Sequence, residues 1–232
     1  MTRPRVICHM MASIDGRIVT DGWPISREVR QQYEIVHQSY APDAWLCGRV
    51  TMEHFAAGVR ADDDLAREHD GAAREDFIAP GDHRSFAIAI DARGRLRWNS
   101  GDIDGDHVVA VMTERVSDDC LSALRERGVS YLLAGADTID LPLALEKIAT
   151  RLAIRTLMLE GGGGINGSML RAGLVDEVSL MVAPVIDGRI GTATLFDVVG
   201  NGITPRRLAL LGSERREGDL LWSRYSVNAP AA

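Results

Sequence analysis

The stretch that decides the fold runs from Thr156 to Val185 and reads TLMLEGGGGINGSMLRAGLVDEVSLMVAPV. Residues 156–159 form a short apolar run, which is typical of a buried parallel strand. The glycines of residues 161–164 interrupt this strand, because glycine loses much backbone freedom there and has no side chain to pack. Apolar residues then recur at helical spacing until Gly173 ends the helix. The stretch predicts a strand, a glycine loop, a short helix and a second strand.

The glycine loop has the composition of a phosphate site. A loop of this kind exposes backbone N–H groups at the positive end of the following helix, where phosphate binds. Glu160 lies at the predicted carboxyl end of the strand, the edge at which open α/β sheets bind ligands. No acid ends the next strand as in a Rossmann unit, and Ser168 stands where a P-loop requires lysine. The loop therefore favours a dinucleotide pyrophosphate in a non-Rossmann setting, with a purely structural glycine turn as the alternative.

The rest of the chain alternates strand-like apolar runs with amphipathic helices. We predict strands at 6–12, 44–47, 85–90, 107–112 and 130–134, and helices at 27–40, 118–127 and 140–152. This order predicts an α/β layered fold with right-handed crossovers. Two further runs, at 206–211 and 219–227, have no helix between them and predict an antiparallel hairpin. We expect one domain over residues 1–232, with a mostly parallel sheet and helices on both of its faces.

One segment, residues 56–84, differs in kind from the rest. It carries mixed charges and little apolar periodicity beyond a short helix at 65–69. Loops of this length in a compact domain are usually functional or mobile, so we expect a long surface excursion that can serve as a lid. Its three consecutive aspartates, residues 62–64, favour a solvated charge run over a metal site, because neighbouring side chains do not all point one way.

The composition argues against several classes of function. A formal charge of −7 argues against sequence-independent nucleic-acid binding. No apolar run reaches the roughly 18 residues that span a bilayer, and the N-terminus lacks a signal-peptide pattern. Three cysteines without a C-x-x-C spacing favour buried thiols in a reducing compartment. We expect a cytoplasmic protein that binds neither nucleic acid nor membrane and holds no metal.

The residues with chemistry to offer are few. Asp15 lies at the predicted end of the first strand, where it can also be an ordinary turn aspartate. Thr51 follows a second strand–glycine junction, where its hydroxyl can instead bond the local backbone. The chain has no G-x-S-x-G, no H-E-x-x-H and no Cys/His cluster with metal-ligand spacing. Together with Glu160 and the glycine loop, these residues favour a cofactor that carries the reaction while the protein supplies placement and a proton.

Four segments, in this order, resemble the reductase domain of riboflavin biosynthesis, the C-terminal half of the bifunctional pyrimidine deaminase–reductase. They are ASIDG at 12–16, LCGRVT at 46–51, EGGGGING at 160–167, and GLVDE at 173–177 with APV at 183–185. The resemblance implies a dihydrofolate-reductase-like three-layer fold and a stand-alone reductase. It implies NADPH as the hydride donor and, as substrate, 5-amino-6-(5-phosphoribosylamino)uracil, a ribosylamino-pyrimidine 5′-phosphate whose ribosyl group is reduced to ribityl. It also implies a homodimer.

The resemblance further implies roles for individual residues. Asp15 would orient or protonate the substrate near the reacting carbon, and Glu160 would face the substrate. Thr51 would contact the cofactor, and the backbone of Met11 and Ala12 would pass the nicotinamide. The cofactor phosphates would lie on the glycine loop and the start of its helix, at Gly161, Gly162, Gly163, Gly164, Ile165, Asn166, Gly167 and Ser168.

The cofactor half resembles the family more closely than the substrate half does. Residues 52–56 read MEHFA where the family usually carries an Asp-Asp-Pro-x-Leu pattern, and residues 22–26 read GWPIS where it carries Gly-Glu-Ser. Two alternatives follow. One is a reductase of the same fold that acts on a pterin-like substrate or another carbonyl or imine. The other is a module that binds a nucleotide without turnover.

Overall fold

The computed structural model describes residues 2–61, 74–198 and 205–227. The chain divides into two compact units. We call Met1–Pro4 with Asp43–Arg155 the central unit, and Arg5–Pro42 with Thr156–Ala232 the terminal unit. The prediction of one domain over residues 1–232 stays a prediction.

Strands and helices alternate along most of the described chain. The strands are β1 (Arg5–Ala12), β2 (Ala44–Gly48), β3 (Gly58–Val59), β4 (Phe86–Ile90), β5 (Leu96–Arg97), β6 (Asp102–Ile103), β7 (Asp106–Met112), β8 (Ser130–Leu133), β9 (Thr156–Leu159), β10 (Glu177–Val182), β11 (Ala209–Arg215) and β12 (Leu221–Ser226). The helices are α1 (Arg27–Ser39), α2 (Arg49–Met52), α3 (Asp118–Glu126), α4 (Leu141–Arg151) and α5 (Gly163–Arg171). The predicted α/β fold is confirmed, with mostly parallel strands and an antiparallel C-terminal pair.

The terminal unit is a sheet in the order β11–β12–β10–β1–β9. Strand β1 is central and runs parallel to both β9 and β10, whereas β12 pairs antiparallel with β10 and β11. The carboxyl ends of the three parallel strands therefore lie at one edge of this sheet. Helix α1 packs on it through an apolar cluster that includes Val36, Met181 and Trp222. This packing fixes α1 beside the strand ends.

The central unit has its own parallel strands, in the order β2–β4–β7–β8, with β6 antiparallel to the start of β7. A core of buried side chains, among them Leu96, Met112 and Tyr131, packs between these strands and helices α2 and α3. Strand β3 pairs antiparallel with β5 in a separate two-stranded sheet. This sheet fixes the start of the predicted surface excursion.

Side-chain caps begin three of the helices. Ser26 caps α1 and Asp140 caps α4, each accepting a hydrogen bond from a backbone N–H of the first turn. Ser117 caps α3 in the same way, which places the start of that helix at Asp118 as the sequence suggested. Loss of such a cap lowers the stability of the helix by about 1 kcal/mol. Each cap therefore fixes a helix start that the sequence already signals.

Two predicted boundaries are corrected by the structure. The hairpin forms, but its first strand runs over residues 209–215 rather than 206–211, because Gly212 lies inside the strand next to a bulge. The turn comes later, at Gly218, whose φ of +69° suits glycine. Helix α5 begins at Gly163, so two of the loop glycines belong to the helix.

The excursion at residues 56–84 is fixed at both of its described ends. Strand β3 lies near its start, and Phe77 forms a bridge to Tyr131 near its end. Residues 62–73, with the predicted short helix, the aspartate run and the centre of the proposed lid, lie outside the described residues. The segment is thus more regular at its ends than its composition suggests.

Three further expectations concern the whole chain. Cys8, Cys47 and Cys120 are free thiols and buried, as predicted. Among the described residues, no group of three or more histidine, cysteine or acidic side chains is placed to hold a metal ion. No helix in the described ranges has both the length and the apolar character needed to cross a membrane.

Candidate active site

An open cavity lies at the carboxyl edge of the terminal unit. Strand β9 pairs with β1 only as far as Leu159, opposite Cys8, whereas β1 continues to Ala12. The chain after β9 therefore leaves the sheet beside the last residues of β1. A cavity of about 280 Å³ lies there, and the residues that line it are Met10, Met11, Ile18, Thr20, Arg30, Tyr33 and Glu160. Two of the predicted site residues, Met11 and Glu160, thus share one cavity.

Glu160 is held by a histidine that the sequence did not single out. His37, in the last turn of α1, has its Nδ1 atom 2.7 Å from Oε1 of Glu160. The two side chains are 10% and 12% exposed, so the contact is nearly closed to solvent. A carboxylate can only accept hydrogen bonds, so Nδ1 donates its proton when Glu160 is ionised. The cavity is therefore lined by a carboxylate in a defined orientation.

Tyr33 is fixed against β1 by a second histidine, His9. The Tyr33 hydroxyl donates to the His9 carbonyl at 2.9 Å, and the two rings stack with their centroids 4.2 Å apart. His9 Nε2 lies 3.1 Å from the Tyr33 carbonyl, an acceptor, so Nε2 carries the proton. Its Nδ1 then accepts from the Ser179 hydroxyl, which itself accepts from Trp222 Nε1 at 2.8 Å.

Burial, rather than this network, favours the neutral form of His9, because the backbone carbonyls of Tyr33 and Ser179 favour the protonated form. Burial lowers the pKa of His9 below its ordinary value, and the charge of nearby Glu160 opposes that shift only in part. The same carboxylate acts together with burial to raise the pKa of the Cys8 thiol. Glu160 thus sits in electrostatic reach of two buried groups of β1. The part of the cavity wall that Tyr33 forms against His9 is therefore neutral and closely hydrogen-bonded.

Arg30 adds a positive charge to the cavity lining. Its guanidinium group reaches the hydroxyl and carbonyl oxygens of Thr20 and the carbonyl of Trp23, each at 3.4 Å. These bonds are long, so the guanidinium keeps capacity for a stronger acceptor. One carboxylate and one guanidinium in a single cavity suit a polar ligand that carries an anionic group.

Asp15 holds two loops of the same edge together. Its Oδ1 accepts from the Ser13 hydroxyl at 2.7 Å and from the Asp187 backbone N–H at 2.9 Å, and its Oδ2 accepts from the Gly188 N–H at 2.9 Å. These hydrogen bonds lower the pKa of Asp15 to about 2, the Ser13 hydroxyl contributing most. Asp15 is therefore ionised at neutral pH and its two oxygens are both engaged.

The loop that Asp15 fastens is a wall of the cavity. It follows β1 and carries Ile18 and Thr20, both of which line the cavity. Trp23, near the end of this loop, donates from Nε1 to Asp187 at 2.8 Å, so Asp15 and Trp23 fasten the loop to the same acidic turn. The arrangement supports an orienting role for Asp15 more directly than a role as proton donor.

Several residues of the glycine loop serve packing inside the terminal unit. A side chain at Gly161 would meet the Met10 thioether at about 3.0 Å, and this glycine has a φ of +95°. The Gly161–Gly162 peptide bond is cis. A side chain at Gly163 would lie 2.3 Å from the Thr194 carbonyl, and one at Gly167 would lie 2.4 Å from the Asp197 carbonyl. Gly161, Gly163 and Gly167 therefore allow neighbouring residues to approach the backbone closely.

The remaining loop residues differ in what they offer a ligand. Asn166 is buried and donates to the Leu195 carbonyl at 3.0 Å, and the Ser168 hydroxyl donates to the Gly164 carbonyl at 2.8 Å. Gly164 is exposed, with open space where its side chain would be. Helix α5 has no side-chain cap at Gly162, so its first N–H groups are left for another acceptor. The Asp197 carboxylate lies beside Gly163, so Gly164 is the more open position at this helix start. The predicted phosphate contact stays a prediction.

Of the predicted backbone contacts, Met11 and Ala12 are both buried at the end of β1. Ala12 accepts from the Ala183 N–H at 2.8 Å, which joins the ends of β1 and β10. Thr51 lies in α2 of the central unit and is half-buried. Its predicted contact with the cofactor stays a prediction.

Helix α1 contributes three residues at or beside the cavity, none of which the sequence analysis singled out. Arg30, Tyr33 and His37 recur at i, i+3 and i+7, the spacing of one helical face. Polar residues along a stripe beside a buried face were the available signal, but nothing in the local sequence links them to Glu160.

Comparison with known proteins identifies a family. The sequence model of the RibD C-terminal domain matches residues 4–222. Two proteins named 2,5-diamino-6-ribosylamino-4(3H)-pyrimidinone 5′-phosphate reductase are similar over most of their length. That of Methanothermobacter thermautotrophicus is 32% identical over 203 residues, 87% of this chain and 86% of the relative. That of Aquifex aeolicus is 33% identical over 202 residues, 84% and 83% respectively.

A solved structure supports the fold independently. The crystal structure of a pyrimidine reductase-like protein from Corynebacterium diphtheriae superposes on this chain with a TM-score of 0.73. The match covers 97% of this chain and 92% of that one, at 19% sequence identity. At that identity the similarity concerns the fold alone.

Proposed function

The chain belongs to the RibD C-terminal domain family, the reductases of riboflavin biosynthesis, and we propose that it reduces a ribosylamino-pyrimidine 5′-phosphate with NADPH. The observation that carries this proposal is the identity of about a third, over more than four fifths of both chains, to two named reductases. The cavity at the carboxyl edge of the terminal unit is the proposed place of reduction.

The relatives bear on which pyrimidine is reduced. Both are named for the 2,5-diamino-pyrimidinone, in which the ring keeps an amino group, whereas the sequence resemblance suggested the uracil. We therefore propose the 2,5-diamino compound as the preferred substrate and the uracil as its nearest competitor. The two ligands share the ribosyl phosphate, so they place the same demand on an anion-binding group. Arg30 is the group in the cavity that suits this phosphate.

A reduced nicotinamide cofactor follows from the reductase family, and NADPH is the donor we propose. The uncapped start of α5 supports phosphate binding by the N–H groups of Gly163, Gly164 and Ile165. The other proposed cofactor contacts, from Gly161 to Ser168, hold this helix start in place. Met11 and Ala12, at the end of β1, would pass the nicotinamide, and Thr51 stays a proposed cofactor contact.

The residues of the chain would act on the substrate by orientation. When bound, the cofactor supplies a hydride to the opened ribosyl group, which becomes ribityl once it has also gained one proton. Glu160 would accept hydrogen bonds from the substrate, and its contact with His37 keeps the carboxylate directed. Asp15 would hold the loop that forms one wall of the cavity. Its ionised, fully engaged carboxylate supports this orienting part of its predicted role.

Turnover tests the proposal directly. The purified protein is incubated with NADPH and, in separate reactions, with the 2,5-diamino compound, the uracil and dihydrofolate, and loss of NADPH and gain of ribityl product are measured. We expect turnover of the diamino compound in preference to the uracil, and none of dihydrofolate. Reduction of dihydrofolate alone would contradict the proposed substrate. Absence of turnover with all three, together with absent NADPH binding, would contradict the proposed enzyme.

The family resemblance also implies a homodimer, which we propose on one further observation. Strand β11 lies at the edge of its sheet and exposes Leu210 and Leu211, which are 59% and 52% exposed. Contiguous exposed apolar side chains on an edge strand support an interface. Sedimentation of the protein and of Leu211→Glu would test it, with a dimer expected for the former and a monomer for the latter.

A further inference from the structure

The central unit has a cavity of its own, between the β3–β5 strand pair and the end of α3. Its volume is about 500 Å³, within the range of small-molecule sites. The residues that matter for a ligand are Arg60, Arg97 and Trp98 on the strand side and Leu124, Glu126 and Arg127 on the helix side. None of the residues predicted for the active site is among those that line it.

Positive charge dominates this lining, in a chain whose formal charge is −7. Three arginines and one carboxylate, that of Glu126, line the cavity. Guanidinium groups that share a cavity repel one another unless an anion lies between them. Arg97 has further interactions in the structure, which leaves Arg60 and Arg127 as the two arginines with most capacity for a ligand. The cavity therefore favours an anionic occupant.

The two arginines approach the cavity from opposite sides. Arg60 is half-buried, and its charge reaches α3: burial raises the pKa of the Cys120 thiol to about 11, and the charge of Arg60 opposes that shift. Arg127 follows the last residue of α3 and donates from one guanidinium nitrogen to the Trp98 carbonyl at 3.2 Å. A guanidinium group has several N–H donors, so this bond holds Arg127 against the cavity and leaves donors for a ligand.

Trp98 adds a neutral donor to the same cavity. The residue is only 7% exposed and lines the cavity. The other three tryptophans of the chain each donate from Nε1 to a side-chain oxygen, at 2.7 to 2.8 Å. Within the described ranges, no residue accepts a hydrogen bond from the indole N–H of Trp98. Indole N–H groups of buried tryptophans usually have a partner, so a ligand in the cavity would supply the acceptor that Trp98 lacks.

We propose that this cavity is a binding site for a small phosphate ester, with Arg60 and Arg127 on the phosphate and the Trp98 N–H as a further donor. A phosphate monoester carries nearly two negative charges and three acceptor oxygens, which suits two guanidinium groups and an N–H better than a carboxylate does. Leu124, 5% exposed, offers apolar surface to the group that bears the phosphate. The site does not depend on the proposed reductase function.

The indole N–H resonances of the tryptophans locate such a ligand. Isotope-labelled protein gives one resonance for each of the four tryptophans, and Trp98→Phe identifies the resonance of Trp98 by its loss. The wild type is titrated with AMP at low ionic strength, with adenosine as the uncharged control. We expect AMP to shift the Trp98 resonance saturably and adenosine to leave it in place. The resonance of Trp222, which donates to Ser179 in the terminal unit, should not move.

Arginine variants assign the phosphate contacts. Arg60→Gln and Arg127→Gln should each weaken AMP binding by about 10- to 100-fold, because each removes a hydrogen bond between charged groups. Arg84→Gln is the matched control, since the Arg84 side chain is 87% exposed and pairs with Asp82 outside the cavity. Its affinity for AMP should stay within about threefold of the wild type.

A last variant separates this site from the proposed cofactor site. Gly164→Asp adds a negative charge at the start of α5 and should leave the AMP-induced shift of Trp98 unchanged. An unmoved Trp98 resonance, an equal shift with adenosine, or equal AMP affinity in the wild type and in Arg60→Gln would each overturn the proposal, whatever the outcome of the turnover assay. If Trp98→Phe does not fold, the other three tryptophans are replaced in turn and Trp98 is identified by elimination.

Discussion

At the scale of single residues, the two acids of the proposed site differ in their surroundings. Glu160 could be singled out from the sequence, since it ends a buried strand just before a run of glycines. Its partner could not, because His37 lies 123 residues away and the contact exists only once α1 has packed on the sheet. Asp15 could be singled out as well, but whether it orients or protonates depends on partners at Asp187 and Gly188 that no local pattern reveals.

The two roles considered for Asp15 predict different losses of activity in Asp15→Asn. An amide would direct its NH₂ group at a backbone N–H or at the Ser13 hydroxyl, which would loosen the loop that carries Ile18 and Thr20. We expect kcat/KM to fall by about tenfold. Loss of a general acid would instead lower turnover by about 10²-fold or more.

Steady-state kinetics of Asp15→Asn distinguish the two. Asp21→Asn is the control, because Asp21 is an exposed acid of the same loop. Wild-type kinetics in Asp15→Asn would contradict both roles. A decrease beyond about a hundredfold, with unchanged stability, would return Asp15 to the role of proton donor.

At the scale of elements, the strands and helices were predictable from their own sequences. Apolar residues repeat with the period of a strand or of a helix, and side-chain caps precede three of the helices. The glycine loop was predictable as a loop, but the separate role of each of its glycines was not. Gly163 and Gly167 allow residues 194–198 to pack on α5, and that packing depends on a segment far along the chain. The first strand of the last hairpin lies later in the chain than predicted for a related reason. Gly212 resembles a turn residue but lies in a strand, next to a bulge.

Gly164→Asp tests the helix start as a phosphate site. Gly164 is exposed with open space at its Cα, so the change meets no steric obstacle. A carboxylate in the first turn should stabilise α5 by about 0.3–1 kcal/mol. The same charge should repel a cofactor phosphate and weaken NADPH binding by about tenfold or more.

Stability and affinity should therefore change in opposite directions, which thermal unfolding and NADPH titration measure together. Gly164→Ala is the control and should leave the affinity within about threefold of the wild type. Equal NADPH affinity in Gly164→Asp and Gly164→Ala would show that the phosphates bind elsewhere.

At the scale of the whole molecule, the alternation of strands and helices was enough to predict the fold class, and segments in family order were enough to predict the reductase. Buried histidines add a property that the composition does not reveal. His107 of the central unit is 5% exposed, stacks on His83 with ring centroids 3.6 Å apart, and lies 2.7 Å from the Ser130 hydroxyl. Burial, helped by the charge of His83, lowers the pKa of His107 to about 4.

The direction of the pH dependence follows from this shift. The unfolded chain binds a proton at His107 near pH 6.5, whereas the folded chain resists it until about pH 4. The free energy of unfolding should therefore decrease as the pH falls through this window, with a slope of at most about 1.4 kcal/mol per pH unit for one histidine. His9, whose pKa is also lowered, acts in the same direction.

Urea unfolding of the wild type and of His107→Gln, between pH 7 and pH 4, measures this effect. Glutamine can still accept from the Ser130 hydroxyl but does not titrate, so its slope should be the smaller of the two. Equal slopes for the two proteins would contradict a neutral His107 in the folded state.

The most direct test of the active site is the turnover of the 2,5-diamino-ribosylamino-pyrimidine phosphate by the wild type and by Glu160→Gln, with NADPH affinity measured in parallel. Glutamine keeps the shape of the side chain but loses the charge that strengthens its hydrogen bonds. We expect the wild type to form the ribityl product and Glu160→Gln to lose about 10- to 100-fold in kcat/KM with unchanged NADPH affinity. Equal turnover by the two proteins would contradict a substrate-facing Glu160 and, with it, the placement of the active site in this cavity.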